Sequence, residues 1–263
     1  MTGIDTLAPS APVLSVHEGV AAITLNRPAH RNRLEAGDLH RLLEQFERID
    51  ADTSIRVLKL TACTQGQPRP VFCAGYDIGS FSEPRSDPRL FERVANALAA
   101  LRPVTVCALN GSVYGGATDL ALACDLIVGL SGTEFRMPAA ALGLHYYPAG
   151  LQRYVARLGL SGAKRAFLTA RPLSADMLWH MGCLEALAAP QDFDATVERL
   201  IDDVAALAPL AAQATKRSLN EIAAGQADMD RMRERERVTS ASADFAEGRQ
   251  AFQDRRKPRF RGC

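Results

Sequence analysis

Between residues 20 and 130 the chain alternates short, wholly apolar runs with amphipathic stretches of helical spacing, and few folds accommodate that alternation. Val20–Leu25 (VAAITL) predicts a buried strand that stops at Asn26-Arg27-Pro28, since proline has no N–H for a ladder and biases the residue before it. Leu39, Leu42, Leu43, Phe46 and Ile49 recur at helical spacing with Glu44, Glu47 and Arg48 between them, which predicts an amphipathic helix of about four turns. Residues 56–62 (RVLKLTA) predict the next strand, completing a βαβ unit.

The pattern continues downstream. Val71–Cys73 reads as a short strand, and polar, proline-bearing sequence over 82–88 as a mobile loop. Phe91, Val94, Leu98 and Leu101 mark a helix that Arg102-Pro103 closes. Val104–Leu109 predicts a strand, Asn110-Gly111 a turn, 115–123 a short helix and 125–130 another strand. The residues before Val20 read as a polar tail. From Pro148 onward, alanine- and leucine-rich patterns predict helices over 151–158, 163–168, 175–181, 193–207, 210–223 and 229–252. The first two-thirds is therefore α/β and the last third helical.

Composition bounds the function classes. Of 263 residues, 47% are hydrophobic and 23% charged, enough for a sizeable core. With 31 basic against 30 acidic side chains the net charge of +1 offers no field to recruit nucleic acid, and no nucleic-acid partner is expected. No apolar run reaches the roughly 20 residues of a membrane span, and MTGIDTLAPSAP lacks the layout of a signal peptide, so no membrane association and a cytoplasmic location are expected. The six cysteines contain no CxxC, and the five histidines show no ligand spacing, so no metal site is expected.

P-loop, GxGxxG, HExxH and GxSxG motifs are all absent. Two strand-to-turn junctions remain, FCAGYDI (residues 72–78) and NGSVYGGATDL (residues 110–120). In each an apolar strand ends at small residues and glycine, which lets backbone approach a ligand closely. Gly115-Gly116 also opens a helix, where unpaired N–H groups and the positive end of the helix dipole coincide. Side by side, the two junctions would form an oxyanion hole, each donor worth roughly 3 to 4 kcal/mol at a transition state. Glycine pairs after strands also make plain tight turns, and that alternative stands on these residues alone.

ITLNRPAHRN (residues 23–32), both junctions, CDLIVGLSGTEFRMPAAALGL (residues 124–144) and DFAEGRQAFQDRRKPRF (residues 244–260) together resemble the enoyl-CoA hydratase/isomerase, or crotonase, superfamily, over nearly the whole chain and in the expected order. The resemblance implies an α/β fold, a crotonase-like spiral of ββα units with a helical C-terminal trimerisation region, divided here as 1–195 and 196–263. It implies an acyl-CoA thioester substrate, no cofactor beyond the coenzyme A carried by that substrate, and a homotrimer or dimer of trimers. The oxyanion hole would be the N–H groups of Tyr76 and Gly116. Contacts to CoA would come from Arg27, Arg31, Ala74, Tyr76, Gly115 and His145, and from Phe252 and Arg255 of a neighbouring subunit; a solvated tail is the alternative for the last arginines.

Hydratases of the superfamily carry two glutamates, at positions that here hold Asp119 and Ala139. The second acid is missing, and hydration wants both a group to activate water and one to share the α-proton. A methylmalonyl-CoA decarboxylase branch, which shares the NGSV-aromatic-GGA stretch but has histidine in place of Tyr76, carries a tyrosine where Tyr146 stands. Certain isomerases place an aspartate at Tyr147. The expected activity is thus enolate chemistry, decarboxylation or double-bond isomerisation, with Tyr76, Gly116, Asp119 and Tyr146 as the catalytic set. The alternatives are a hydratase acting on an unusual acyl group, a structural Asp119 with Tyr146 and Tyr147 as packing aromatics, and a catalytically silent acyl-CoA binder. The acyl pocket is expected between residues 80–90 and 142–151.

Overall fold

The computed structural model describes residues 11–77 and 87–263, and most of the predicted loop over 82–88 lies outside them. In chain order the first elements are β1 (Val13–His17), β2 (Val20–Leu25), α1 (Ala36–Ala51), β3 (Val57–Ala62), β4 (Val71–Cys73), α2 (Leu90–Ala100), β5 (Val104–Leu109), β6 (Ser112–Tyr114), α3 (Gly116–Ala123), β7 (Leu126–Leu130) and β8 (Glu134–Arg136). The remainder are α4 (Pro148–Thr169), β9 (Leu173–Ser174), α5 (Ala175–His180), β10 (Ala186–Ala188), α6 (Phe193–Ala205), α7 (Pro209–Ala223), α8 (Met229–Ser240) and α9 (Ala243–Gln253).

Two sheets result, one in the order β1-β2-β3-β5-β7-β10 and a shorter one in the order β4-β6-β8-β9. Three successive units repeat one pattern, in which a strand of the long sheet is followed by a strand of the short sheet and then a helical segment. They are β3-β4-α2, β5-β6-α3, and β7-β8 with the 3-10 turn Ala139–Leu142. This is the ββα spiral that the resemblance implies.

The strands of the long sheet beyond β1 pair in parallel and are mostly buried, which is why they read as predominantly apolar runs. On one face Leu58, Leu60, Cys107, Leu109 and Ile127 join the main core with α1, α2 and α3. On the other, Val57, Val106, Ala108 and Val128 pack against Phe193, Val197 and Ile201 of α6. Position 195 falls within α6, which lies directly on the sheet.

Several expectations need correction. The polar N-terminal tail contains β1, which pairs antiparallel with β2 through a turn at Glu18-Gly19; its outer residues are exposed, so it lacks the apolar run of its neighbours. The C-terminal third is not purely helical, because β9 and β10 extend the two sheets. The segments 151–158 and 163–168 belong to a single α4 interrupted at Gly159, whose φ of 67° breaks the helical path. The stretch 229–252 is two helices, because the Ser242 side chain accepts from Phe245 N–H and starts α9 afresh.

Candidate active site

The two glycine junctions lie against each other because β4 and β6 are parallel neighbours, with Val71 opposite Ser112 and Cys73 opposite Val113. Both strands therefore leave the short sheet at the same end. A Cβ on Gly75 would sit 2.9 Å from the Tyr114 carbonyl oxygen and 3.5 Å from Gly115 Cα, so only glycine permits this approach. Gly75 and Gly115 also take φ of 101° and 56°, a region that L side chains avoid. At Gly116 a Cβ would lie 2.8 Å from the Phe91 ring of α2, so the ring seats directly on the helix start.

The first junction is held by backbone from the segment after β2. Ala74 N–H donates to Arg31 O at 2.8 Å, Leu34 N–H to Gly75 O at 2.9 Å, and Asp77 N–H to Leu34 O at 2.9 Å. Buried Asn32 fixes that segment in turn. Its amide donates to Cys63 O and Val71 O, at 2.9 and 3.1 Å, while its side-chain oxygen accepts from Arg27 N–H. From sequence, Asn32 stood out only by its place in ITLNRPAHRN. In the second junction Gly115 N–H donates to Arg136 O at 2.9 Å, and the Thr118 hydroxyl donates back to Gly115 O at 2.5 Å. Gly116 is the first residue of α3, so its N–H is among those a helix leaves without an internal acceptor. The result is a rigid backbone cradle whose chemistry suits an oxygen that gains negative charge.

Asp119 lies three residues into the same helix and has 0% exposure. Its carboxylate is fully engaged. Arg153 of α4 donates from Nε to Oδ1 at 2.9 Å and from Nη2 to Oδ2 at 2.6 Å, a bidentate pair, and the Tyr147 hydroxyl also donates to Oδ2. Arg153 reaches α2 as well, donating to Asn96 Oδ1 at 2.8 Å. Tyr146 donates to the Tyr147 hydroxyl at 3.1 Å, and the two rings stack with centroids 4.2 Å apart. Tyr146 packs further on Phe167 and Tyr154. Burial, and then the nearby Asp119 carboxylate, push both the Tyr146 and Tyr147 phenols above the ordinary tyrosine value, so both stay protonated.

Ala139, in the place of the second glutamate, is buried at 4% exposure. His145 and Ala74 are exposed, and the Tyr76 ring rests 5.9 Å from Phe91. Arg27 is committed within the chain, its Nη2 lying 3.1 Å from both oxygens of Asp38, whereas Arg31 is exposed. Phe252, at 86% exposure, and Arg255 form a separate group at the end of α9. There a groove of about 380 Å³ is lined by Phe245, Arg249, Phe252 and Phe260, and a basin of about 790 Å³ by Arg256, Lys257, Arg259 and Arg261. The structure thus joins Ala74, Tyr76, Gly115 and Gly116 in one cradle, and Asp119 and Tyr146 in one network through Tyr147. Arg153 and Asn96, part of that network, were not singled out from sequence.

The family profile described as enoyl-CoA hydratase/isomerase matches residues 15–263. The chain belongs to the enoyl-CoA hydratase/isomerase family. Among its relatives is the putative enoyl-CoA hydratase/isomerase YngF of Bacillus subtilis, 32% identical over 256 residues that cover 94% of this chain and 96% of YngF. The 2,3-dehydroadipyl-CoA hydratase of Escherichia coli is 31% identical over 262 residues, covering 95% of this chain and 98% of that enzyme. A crystal structure described as an enoyl-CoA hydratase/isomerase family member superposes with a TM-score of 0.86 at 24% identity, covering 95% and 96% of the two chains, a likeness in fold. In this chain Asp119 is buried and paired with Arg153, and Ala139 is buried as well.

Proposed function

We propose that the chain is an acyl-CoA enzyme that holds a thioester enolate between the Tyr76 and Gly116 N–H groups, and that it forms this enolate by decarboxylating a malonyl-type CoA ester. The observation that carries the choice of reaction is the sequestered Asp119. Isomerisation with Asp119 as proton shuttle and hydration both begin with a base that reaches substrate or water. Asp119 has no exposed surface and accepts from both Arg153 and Tyr147, and Ala139 supplies no second acid. Loss of CO₂ needs no such base, because the C–C bond pair itself becomes the enolate and the cradle stabilises the charge. Arg31, an exposed residue, takes the CoA phosphates in preference to Arg27, which is tied to Asp38. Phe252 and Arg255 complete the CoA site of a neighbouring copy in a trimer or a dimer of trimers.

The hydratase reading draws support from the names of the relatives, one of which is a 2,3-dehydroadipyl-CoA hydratase. A panel of malonyl-type, saturated and unsaturated CoA esters, followed by product mass and deuterium uptake, separates the two. The expected result is CO₂ release from a malonyl-type ester with slow or absent hydration of crotonyl-CoA. Efficient hydration without CO₂ release overturns decarboxylation.

A further inference from the structure

Asp119 was expected to be the proton-handling group, and its surroundings point elsewhere. Every hydrogen bond that its carboxylate receives comes from a group nearer the surface, two from Arg153 and one from the half-buried Tyr147. Tyr147 is the N-cap of α4, with Pro148 directly after it, so its backbone is fixed at a helix start. Its ring is fixed as well, stacked on Tyr146 and resting on Gly150, where a Cβ would come within 2.8 Å of Tyr147 Cε2. The hydroxyl that results is bonded to a carboxylate three residues beyond Gly116 on the same helix. Three residues are about 4.5 Å along a helix axis and return to the same face. The phenol is therefore bonded to the side chain that lies one helical turn beyond the N–H proposed to hold the enolate oxygen.

We propose that Tyr147 delivers the proton to the α-carbon of the enolate, and that Asp119 and Arg153 are positioning residues that hold its hydroxyl in place. This rests on the enolate reading above. In the step, the Tyr147 O–H bond breaks and a C–H bond forms at the α-carbon, while the enolate electron pair closes on carbon and restores the thioester carbonyl. The phenolate left behind accepts from Tyr146 and lies beside the Arg153 guanidinium, and water returns its proton. The carboxylate of Asp119 keeps the phenol protonated between turnovers, and Arg153 neutralises that carboxylate so that the buried site carries no net charge. Tyr146 supports the phenolate by its hydrogen bond.

The test is Tyr147→Phe, which keeps the stacked ring and leaves the Asp119–Arg153 pair intact, so the fold survives. With 2-methylmalonyl-CoA in deuterated water, the wild-type protein is expected to give a 2-deuterated product of one configuration. Tyr147→Phe is expected to lower kcat about 100-fold with KM within about threefold, and to give both configurations, because solvent then protonates the enolate from either face. Tyr146→Phe, a check on the relay, is expected to lose about tenfold in kcat and to retain one configuration. A Tyr147→Phe protein with wild-type rate and a single product configuration overturns the role of Tyr147 and leaves the decarboxylase reading standing. A wild-type protein that releases no CO₂ overturns that reading, and this one with it.

Discussion

Gly150 illustrates how much a single position decides. Its own place is in the first turn of α4, where alanine would ordinarily be favoured over glycine by roughly 1 kcal/mol. Here the methyl would overlap the rings of both Tyr146 and Tyr147. Overpacking of this kind costs about 1 to 3 kcal/mol, so the clash outweighs the propensity. Gly150→Ala is expected to lower the melting temperature by several degrees and to alter the near-ultraviolet circular dichroism of the tyrosine stack. A variant with raised stability would mean that the rings do not rest on this helix turn. Gly75, Gly115 and Gly116 were legible from sequence because glycine after an apolar run carries a local meaning. Arg153 was not, since nothing near position 153 distinguishes a surface arginine from one that pairs with a carboxylate 34 residues earlier.

At the scale of elements, the C-terminal arm after α9 is held by two carboxylates: Asp244 accepts from Arg261 and Gly262 N–H at 2.7 and 2.8 Å, and Glu247 holds the stretch before them. Arg256 donates from Nη1 and Nη2 to the two oxygens of Glu247, at 2.6 and 2.9 Å, and Arg259 N–H donates to Oε1 at 2.8 Å. The Arg256 side chain first, and then the Arg259 N–H, hold the Glu247 carboxyl down at about 2. A depressed folded-state value stabilises the docked arm above the ordinary glutamate range, and that contribution is lost as pH falls through about 4.5 toward 2. Amide hydrogen exchange over residues 256–259 is therefore expected to show protection, relative to Glu247→Gln, that is full at pH 6 and shrinks across this window. Equal protection in the two proteins at pH 6 would remove Glu247 from the docking of the arm. The long apolar strands and amphipathic helices were readable in advance, because their burial sets a period or an unbroken run. Strands of two or three residues, such as β8, β9 and β10, are shorter than any period, and only their neighbours define them.

Across the whole molecule, the C-terminal helices expose apolar side chains that the chain's own core does not cover. Leu219 and Ile222 of α7, Met229 of α8, and Phe245 and Phe252 of α9 are all solvent-facing in the single chain. These side chains lie on the helical third, where the proposed trimer contact is expected. Light scattering at micromolar concentration is expected to return the mass of a trimer or its multiple, and Phe252→Asp to shift the population toward smaller species. A monodisperse monomer of the unaltered protein would overturn this. The ββα core was legible because its signals are local and repeated, whereas the oligomer was reached only through resemblance, since an exposed leucine looks the same whatever covers it.

The tie that Arg153 makes among three helices also shapes how this chain can change. Arg153 joins Asp119 of α3 to Asn96 of α2 from its own place on α4. Losing either charge alone leaves the other buried and uncompensated, at about 3 to 5 kcal/mol, a large share of the roughly 5 to 15 kcal/mol that holds a typical domain folded. A glutamate in place of Asp119 would bury a longer side chain, and a glutamate at Ala139 would bury a second acid. A lineage that starts from this sequence therefore reaches a two-glutamate site only through intermediates that fold poorly, or by altering positions 119, 139 and 153 together. The pair that keeps the site neutral also acts as a ratchet, holding descendants of the chain to the chemistry it already supports.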